Sequence, residues 1–219
     1  MRGARHRSIV ENVPRALGGE LSALLTVARD LVAGAWHSRT DSDPPREHGG
    51  TPILLAHGLF GDITNFRTLR RHLEGRGFTT FHDFSYSPQL DVQRLAPLLE
   101  DRIDTCCGEA GAAQVDVVGH SLGGVVARYL LATGGGGRIR RLVTLGSPRF
   151  VPVALPQELA VYGAYDVLAG PPGGTVHRSG RSVVLPDCGH LGLLTHPDAL
   201  KAVTRWLGRP ALVRSTAVA

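Results

Sequence analysis

The chain of 219 residues has a hydrophobic share of 42%, a charged share of 20% and 28 glycines. These values lie near those of globular domains, which argues against a disordered or fibrous chain and allows one domain with a sizeable core. The net charge is +5, carried almost entirely by arginines scattered along the sequence, with Lys201 as the single lysine. Nucleic-acid binding needs basic residues gathered on one stripe, so we expect no nucleic-acid partner.

At the N-terminus, the basic stretch Arg2–Arg7 resembles the first part of a signal peptide. Charged residues interrupt the apolar run that should follow, namely Glu20, Arg29 and Asp30 within Leu17–Trp36. The run is therefore neither a good signal-peptide core nor a membrane-spanning helix. We predict an amphipathic helix in an N-terminal extension, residues 1–37, which packs on the domain or contacts a membrane surface. A cytoplasmic location is favoured over secretion, and export from an upstream start site stays open.

Beyond the extension, residues 38–51 are polar and rich in proline and glycine, which predicts a surface linker. Residues 52–208 form the predicted core domain, and residues 209–219 a loose tail. Within the core, apolar runs typical of strands occur at Ile53–Ala56, Phe78–Phe84, Val115–Val118, Ile139–Leu145, Leu159–Tyr162 and Ser182–Leu185. Segments with helical periodicity occur at Phe66–Leu73, Leu90–Ile103, Leu122–Ala132 and about Pro197–Leu207. This alternation predicts an α/β domain with a mostly parallel sheet and helices on both faces, in which ligands bind beyond the carboxyl ends of the strands.

The three cysteines, Cys106, Cys107 and Cys188, are an odd number, and sequence neighbours rarely form a disulfide with each other. We expect buried thiols, and one bridge from Cys106 or Cys107 to Cys188 stays open as the alternative.

The segment Gly119–Gly123 reads G-H-S-L-G between a predicted strand and a predicted helix. In a nucleophile elbow, a sharp turn lifts a serine above the sheet edge at the N-terminus of a helix, and the flanking glycines leave room for the tight backbone. The helix amides and dipole favour negative charge that develops there. The pattern predicts Ser121 as a nucleophile, and the alternative is an ordinary serine in a glycine-rich turn.

A nucleophilic serine needs a base within hydrogen-bond reach, held in turn by a carboxylate, and in this arrangement the chain order is Ser, then Asp or Glu, then His. His190 follows a predicted strand and precedes the last helix, so we predict it as the base. His196 is the second choice, and His177 lies in a loop rich in proline and glycine. Asp166 follows the predicted strand Leu159–Tyr162 and precedes His190, which makes it the predicted acid.

The two other aspartates near the histidines have simpler interpretations. Asp187 is close to His190 in sequence and is predicted to shape the turn. Asp198 follows the histidine and is predicted to cap the closing helix.

Acyl transfer also needs two backbone N–H donors for the oxyanion. One is predicted to be the amide of Leu122, directly after the nucleophile. The other is expected from the glycine-containing loop Ala56–Gly61, where we favour the Leu59 amide over that of Phe60. Structural rather than catalytic roles are predicted for the histidines within these two motifs, His57 and His120.

Four segments together resemble the compact bacterial triacylglycerol lipases, the class 2 lipase group of the α/β-hydrolase superfamily. They are the oxyanion-loop motif His57–Gly61 (HGLFG), the elbow Gly119–Gly124 (GHSLGG), the strand end Leu145–Pro148 (LGSP) and the segment Gly189–Leu194 (GHLGLL) around the predicted base. These matches span residues 52–206. The sequence after Asp166 departs from the family pattern, and the N-terminal extension has no counterpart in the smallest members.

The resemblance implies the α/β-hydrolase fold with little or no cap, hydrolysis of acylglycerols or simpler esters, and no metal or organic cofactor. Apolar residues near the predicted site are candidates for an acyl pocket, with plain core packing as the alternative: Phe60, Phe150 and Leu191, together with Leu193 and Leu194. The partner expected from these residues is a small-molecule ester or lipid substrate.

Three functional hypotheses follow from the residues. The leading one is a lipase or esterase that uses Ser121, His190 and Asp166. An acyltransferase or thioesterase would use the same residues with a different acceptor or leaving group. A catalytically silent member that binds a lipid or a protein partner is the third, and the complete set of candidate catalytic residues argues against it.

Overall fold

A parallel β-sheet forms the centre of the structure. The computed structural model of the chain describes residues 50–59, 61–87, 91–149, 155, 157–169 and 181–209. The strands of the sheet are β1 (Ile53–Ala56), β2 (Phe81–Phe84), β3 (Val115–His120), β4 (Ile139–Leu145), β5 (Glu158–Gly163) and β6 (Arg181–Leu185). Neighbouring strands all run parallel, in the order β2-β1-β3-β4-β5-β6. Their carboxyl ends therefore meet at one edge of the sheet.

Helices cover both faces of this sheet. The α-helices are α1 (Arg67–Glu74), α2 (Val92–Glu109), α3 (Leu122–Ala132) and α4 (Pro197–Leu207), and two short 3-10 helices lie at Ile63–Phe66 and Leu191–Leu194. In β1, Leu54 and Ala56 pack in one core cluster with α2 and α3, whereas Ile53 and Leu55 pack in the other with α1 and α4. Strands buried on both faces read as continuous apolar runs, and the predicted α/β class with helices on both faces is confirmed.

Four predicted elements have the observed bounds, namely β1, α3, β4 and α4. The strand predicted from Phe78 is shorter, because β2 begins only at Phe81. Gly77 takes a φ of 88° after α1, and the amide of Phe78 donates to the carbonyl of Leu73 at 3.2 Å. That amide closes the C-terminal turn of α1 and is therefore not available to the sheet.

The ends of other elements also differ from the prediction. α2 extends to Glu109 rather than ending at Ile103, because its apolar face continues through the buried Cys106 and Cys107. Its N-terminus is capped by Asp91, whose carboxylate accepts a hydrogen bond from the Arg94 amide at 3.2 Å. β3 continues beyond Val118 to His120 and so reaches the predicted elbow, and the helix predicted from Phe66 begins at Arg67.

All three cysteines are buried, and none of them forms a disulfide. Cys106 and Cys107 belong to the core on the α2 and α3 face, whereas Cys188 belongs to the core on the opposite face. The alternative of a bridge between them is therefore wrong, and the expectation of buried thiols is confirmed.

The predicted N-terminal extension and most of the linker and tail lie outside the described residues. Within the described ranges, no helix combines the length and apolar character needed to cross a membrane.

Candidate active site

Ser121 is the single residue between β3 and α3, and its backbone is strained. Its φ is 52° and its ψ is −119°, and it is the one non-glycine residue with positive φ among those described. Such a conformation costs about 1–3 kcal/mol and persists only where the surrounding structure enforces it. Two close backbone approaches do so here. A Cβ atom at Gly119 would lie 2.5 Å from the Gly124 nitrogen, and one at Gly123 would overlap the carbonyl of Ala56.

The loop after β1 lies directly beside Ser121. A Cβ atom at Gly58 would be 3.0 Å from the Ser121 Cβ and 3.6 Å from its Oγ, so the backbone of this loop lies close to the hydroxyl. Leu59, the next residue, is half-buried in a turn. Leu122 opens α3, where the first backbone N–H groups of a helix have no partner within the helix. Both predicted oxyanion donors therefore belong to segments that flank Ser121, and Phe60 lies outside the described residues.

Asp166 and His190 form a buried hydrogen-bonded pair. Asp166 follows β5 and His190 follows β6, and their side chains meet with 2.8 Å between Oδ2 and Nδ1. The second carboxylate oxygen of Asp166 accepts hydrogen bonds from the amides of Leu168 and Ala169 at 2.9 and 2.8 Å. Because an ionised carboxylate oxygen only accepts, the imidazole donates from Nδ1 in this hydrogen bond.

The end of β4 connects the elbow with this pair. The carbonyl of Leu145 accepts the Ser121 amide at 2.9 Å. In the next residue, Gly146, a Cβ atom would lie 2.8 Å from the Asp166 Oδ2 and 3.0 Å from the His190 Nδ1. One strand end thus contacts both Ser121 and the Asp166–His190 pair, which brings all three predicted catalytic residues to the same edge of the sheet.

His120 also links the elbow to the pair. Its Nε2 lies 3.2 Å from the His190 carbonyl oxygen, and the two ring centroids are 4.7 Å apart. Burial lowers the pKa of His120 to about 3, so this ring is neutral and donates from Nε2. A structural role for His120 is predictable from the elbow motif, but its partner His190 is not, because the contact joins residues far apart in sequence.

His57 packs beside the loop after β1. Its ring stacks on that of Tyr86 with 4.4 Å between centroids, and its Nδ1 donates to the Gly58 carbonyl at 2.7 Å. Burial also raises the pKa of Tyr86 above its usual value, so the tyrosine stays a neutral hydroxyl that donates to the His57 carbonyl.

The alternative histidines and aspartates lie elsewhere. The Nδ1 of His196 accepts a hydrogen bond from the Asp198 amide at 3.2 Å, so His196 is the N-cap of α4. The prediction that Asp198 caps this helix is wrong, because Asp198 lies in the first turn. There its negative charge interacts favourably with the positive end of the helix dipole. Asp187 is exposed in the turn after β6, and His177 lies outside the described residues.

The predicted acyl-pocket residues are described only in part. Leu191 is half-buried at the start of the 3-10 helix after His190, whereas Leu193 and Leu194 are core residues with at most 1% of their surface exposed. Phe60 and Phe150 lie outside the described residues. In the described part of the chain, no group of three or more His, Cys, Asp or Glu side chains is arranged to hold a metal ion.

Known proteins of similar sequence or structure were found by three comparisons. A family model described as a PGAP1-like alpha/beta domain matches residues 91–168. Esterase YbfF of Escherichia coli (strain K12) is 31% identical over 105 residues, which cover 45% of this chain and 39% of that protein. The aligned region thus spans about two fifths of that relative's length.

Two solved structures illustrate the architecture. MGS-MChE2, an alpha/beta hydrolase enzyme from a sediment metagenome of the Mar Chica lagoon, Morocco, is 19% identical with a TM-score of 0.55 and covers 71% of this chain and 89% of its own. The esterase EaEST from Exiguobacterium antarcticum is 13% identical with a TM-score of 0.56 and covers 73% of this chain and 92% of its own. The parallel sheet and these likenesses define a chain with the α/β-hydrolase fold. Membership of the class 2 lipases stays a prediction, and His190 lies beyond the stretch that the family model matches.

Proposed function

We propose that the chain is a serine hydrolase that cleaves carboxylic esters through an acyl-enzyme on Ser121. The observation that carries this proposal is the buried hydrogen bond between Asp166 and His190 at the sheet edge where the strained elbow holds Ser121. A backbone with φ of 52° costs conformational energy, and such strain in a non-glycine residue is typical of functional sites rather than of structural serines. The combination of an elbow, an imidazole and a carboxylate is typical of nucleophilic catalysis.

In this mechanism, the Ser121 Oγ attacks the ester carbonyl carbon while the His190 Nε2 takes the hydroxyl proton. The backbone amides of Leu59 and Leu122 donate to the oxyanion of the tetrahedral intermediate. The imidazolium then gives its proton to the leaving alkoxide, and an alcohol departs from the acyl-enzyme. A water molecule, deprotonated by His190, attacks the acyl carbon, and the intermediate releases the acid and restores the serine hydroxyl.

Asp166 orients the imidazole in this scheme. Three hydrogen bonds fix its carboxylate, two from backbone amides and one from His190. The carboxylate thereby favours the tautomer with the proton on Nδ1 and stabilises the imidazolium when it forms.

The substrate class is argued from likeness and from the site. The curated relative is named an esterase, and the motifs around His57, Ser121 and His190 resemble those of triacylglycerol lipases. We therefore propose acylglycerols or simpler carboxylic esters as substrates. A turnover profile over p-nitrophenyl esters of increasing chain length, below and above micelle formation, distinguishes the two, because each added methylene that finds an apolar pocket contributes about 1–3 kcal/mol.

The test of the function is Ser121→Ala. We expect the turnover of p-nitrophenyl esters to fall by about three to six orders of magnitude with the fold intact, because the nucleophile is lost. Ser182→Ala is the matched control, since Ser182 lies within β6 and pairs with Ala160 away from the elbow. Activity that survives in Ser121→Ala, with the serine control also active, would rule out the proposed mechanism.

A further inference from the structure

A buried arginine on α3 connects the nucleophile's helix to the strands beneath it. Arg128 is 3% exposed, and its Nε donates to the Glu158 carboxylate at 2.7 Å. One terminal nitrogen donates to the hydroxyls of Thr144 and Tyr162 at 2.8 and 3.1 Å. Replacing a buried ion pair with neutral groups of similar size is often close to neutral for stability. Stability alone therefore does not account for so complete a set of partners.

The other terminal nitrogen of Arg128 holds the turn after β4. It donates to the carbonyl oxygens of Ser147 and Pro148 at 2.7 and 3.1 Å. This turn, residues 146–148, begins with Gly146, whose missing side chain leaves room for the Asp166–His190 pair. Both carbonyls accept from the same guanidinium, so the turn is fixed relative to α3 rather than only to its own strand.

The same turn lies between the two halves of the site. On one side, Ser147 is fully buried and touches Gly124 so closely that a Cβ there would overlap its hydroxyl. Gly124 is one helical turn before Arg128 and three residues after Ser121. On the other side, Gly146 lies against the Asp166 Oδ2. A shift of this turn therefore changes the distance between the helix that carries Ser121 and the pair.

We propose that Arg128 is a positioning residue for the reaction: it holds turn 146–148 in place and so sets the placement of the Asp166–His190 pair relative to Ser121. The inference rests on the proposed function, in that Ser121 must react with His190 as its base. Arg128 touches none of the three catalytic side chains in the contacts described here and acts through the backbone of the turn. Misplacement of reacting groups by about 1 Å lowers rates by about 100-fold.

The experiment compares two double variants that each remove a buried ion pair. We call the contacts of Arg128 with the carbonyls of turn 146–148 the Arg128 clamp. Arg128→Met with Glu158→Gln removes this clamp without leaving an uncompensated buried charge. Arg140→Met with Asp116→Asn is the matched control, because Arg140 donates to both oxygens of the buried Asp116 at the amino end of the sheet. Both proteins are assayed below their own melting temperatures.

We expect kcat to fall about 10- to 100-fold in the Arg128 double variant with little change in KM, and less than about threefold in the control. Arg128→Lys is a third variant: it keeps a positive charge beside Glu158, but a single ammonium does not replace the planar fork that reaches Glu158 and two carbonyls together. It should stay as slow as the double variant. Wild-type kcat in Arg128→Lys, or equal losses in both double variants, would overturn the proposal.

A spectroscopic readout separates this inference from the proposed function. The Nδ1 proton of His190, hydrogen-bonded to Asp166, should give a downfield proton resonance that disappears in His190→Gln. We expect the resonance to be lost or exchange-broadened in the Arg128 double variant and retained in the Arg140 control. If it is unchanged in both, the positioning role fails, whatever the wild-type protein hydrolyses. If the wild-type protein has no esterase activity, the proposed function fails, and the resonance still tests the clamp.

Discussion

Two aspartates at opposite ends of the sheet are equally buried and have different partners. Asp166, beyond the carboxyl end of β5, is 3% exposed and pairs with a histidine, whereas Asp116, at the amino end of β3, is 1% exposed and pairs with Arg140. An arginine keeps its proton at every relevant pH, but an imidazole gains and loses one near neutrality. The buried carboxylate thus forms a fixed ion pair at one end of the sheet, and at the other end, in the proposed mechanism, it orients the imidazole base.

The surroundings of the two pairs differ in the same way. At the amino end, Arg140 and Arg141 both donate to the carbonyl of Leu207, which attaches the end of α4 to the sheet. At the carboxyl end, Ser121 holds a strained backbone and Gly146 lies against titratable atoms. Contacts at the amino end therefore attach elements of the fold to one another, whereas the carboxyl end contains a strained backbone, as expected for a site where the proposed reactive groups are placed.

The sharpest test of this contrast exchanges each aspartate for asparagine. Asp166→Asn should lower kcat by about 10³–10⁴, because the amide no longer favours the His190 tautomer with a basic Nε2. Asp116→Asn should leave kcat near the wild-type value and destabilise the fold by about 2–4 kcal/mol, since it breaks a buried ion pair. Steady-state kinetics and urea unfolding of both variants provide the measurements.

Asp187→Asn completes that experiment, because Asp187 is the other carboxylate close to His190 in sequence. Its exposed side chain predicts an almost unchanged rate. If Asp187→Asn were the slow variant and Asp166→Asn the active one, Asp187 and not Asp166 would be the catalytic acid.

A smaller effect is expected from replacing one glycine with alanine at each end of the sheet. Gly146 and Gly111 have similar φ values of 55° and 59°, so alanine strains the backbone equally at both. At Gly146 the new Cβ would meet the Asp166 and His190 side chains, whereas at Gly111 nothing lies within 4 Å. We expect both variants to lose about 1 kcal/mol of stability to backbone strain.

Only Gly146→Ala should also lose activity, by about 10- to 100-fold, because it displaces the acid–base pair. Thermal melting and ester turnover of the two variants separate strain from displacement. Equal activities would mean that the contact at Gly146 does not matter for catalysis.

A further prediction concerns pH and His120. The folded-state pKa of His120 is lowered by burial from 6.5 to about 3. Between these values, the unfolded chain binds a proton that the folded chain does not, so His120 makes stability fall as the pH falls from about 6.5 towards 3. His120→Gln keeps a side-chain N–H and cannot titrate. It should flatten the plot of unfolding free energy against pH by up to about 1.4 kcal/mol per pH unit in that window.

Urea unfolding of wild type and His120→Gln at several pH values between 4 and 8 measures this slope. Two parallel curves would show that the buried ring does not contribute to the acid sensitivity of the fold.

Much of the fold was predictable because local signals agreed with packing. β1 is a continuous apolar run, and β4 begins and ends with apolar residues that are buried. α3 and α4 combine a periodic apolar face with a clear start after the elbow or at a proline. The strand predicted from Phe78 failed, since the amide of Phe78 closes α1 instead of joining the sheet. At such junctions a backbone amide can either close the end of a helix or join the sheet, and the hydropathy of the sequence does not distinguish the two.

The site was predictable only as far as motifs and chain order reach. Ser121 follows from its elbow pattern, and the order of residues along the chain suggests Asp166 and His190. The Arg128 clamp has no such signal, because its partners Thr144, Ser147 and Glu158 lie 16 to 30 residues away. Contacts of this kind are decided by how α3 packs on β4 and β5, which no local pattern encodes.

All of the catalytic predictions depend on Ser121 being an activated nucleophile. Treatment with a fluorophosphonate, followed by intact mass measurement and peptide mapping, tests it most directly, because the reagent reacts with serines that are deprotonated by a neighbouring base. We expect one adduct per chain, located on Ser121 and strongly reduced in His190→Gln. A wild-type protein that stays unlabelled, or an adduct on a different residue with Ser121 unmodified, would contradict it.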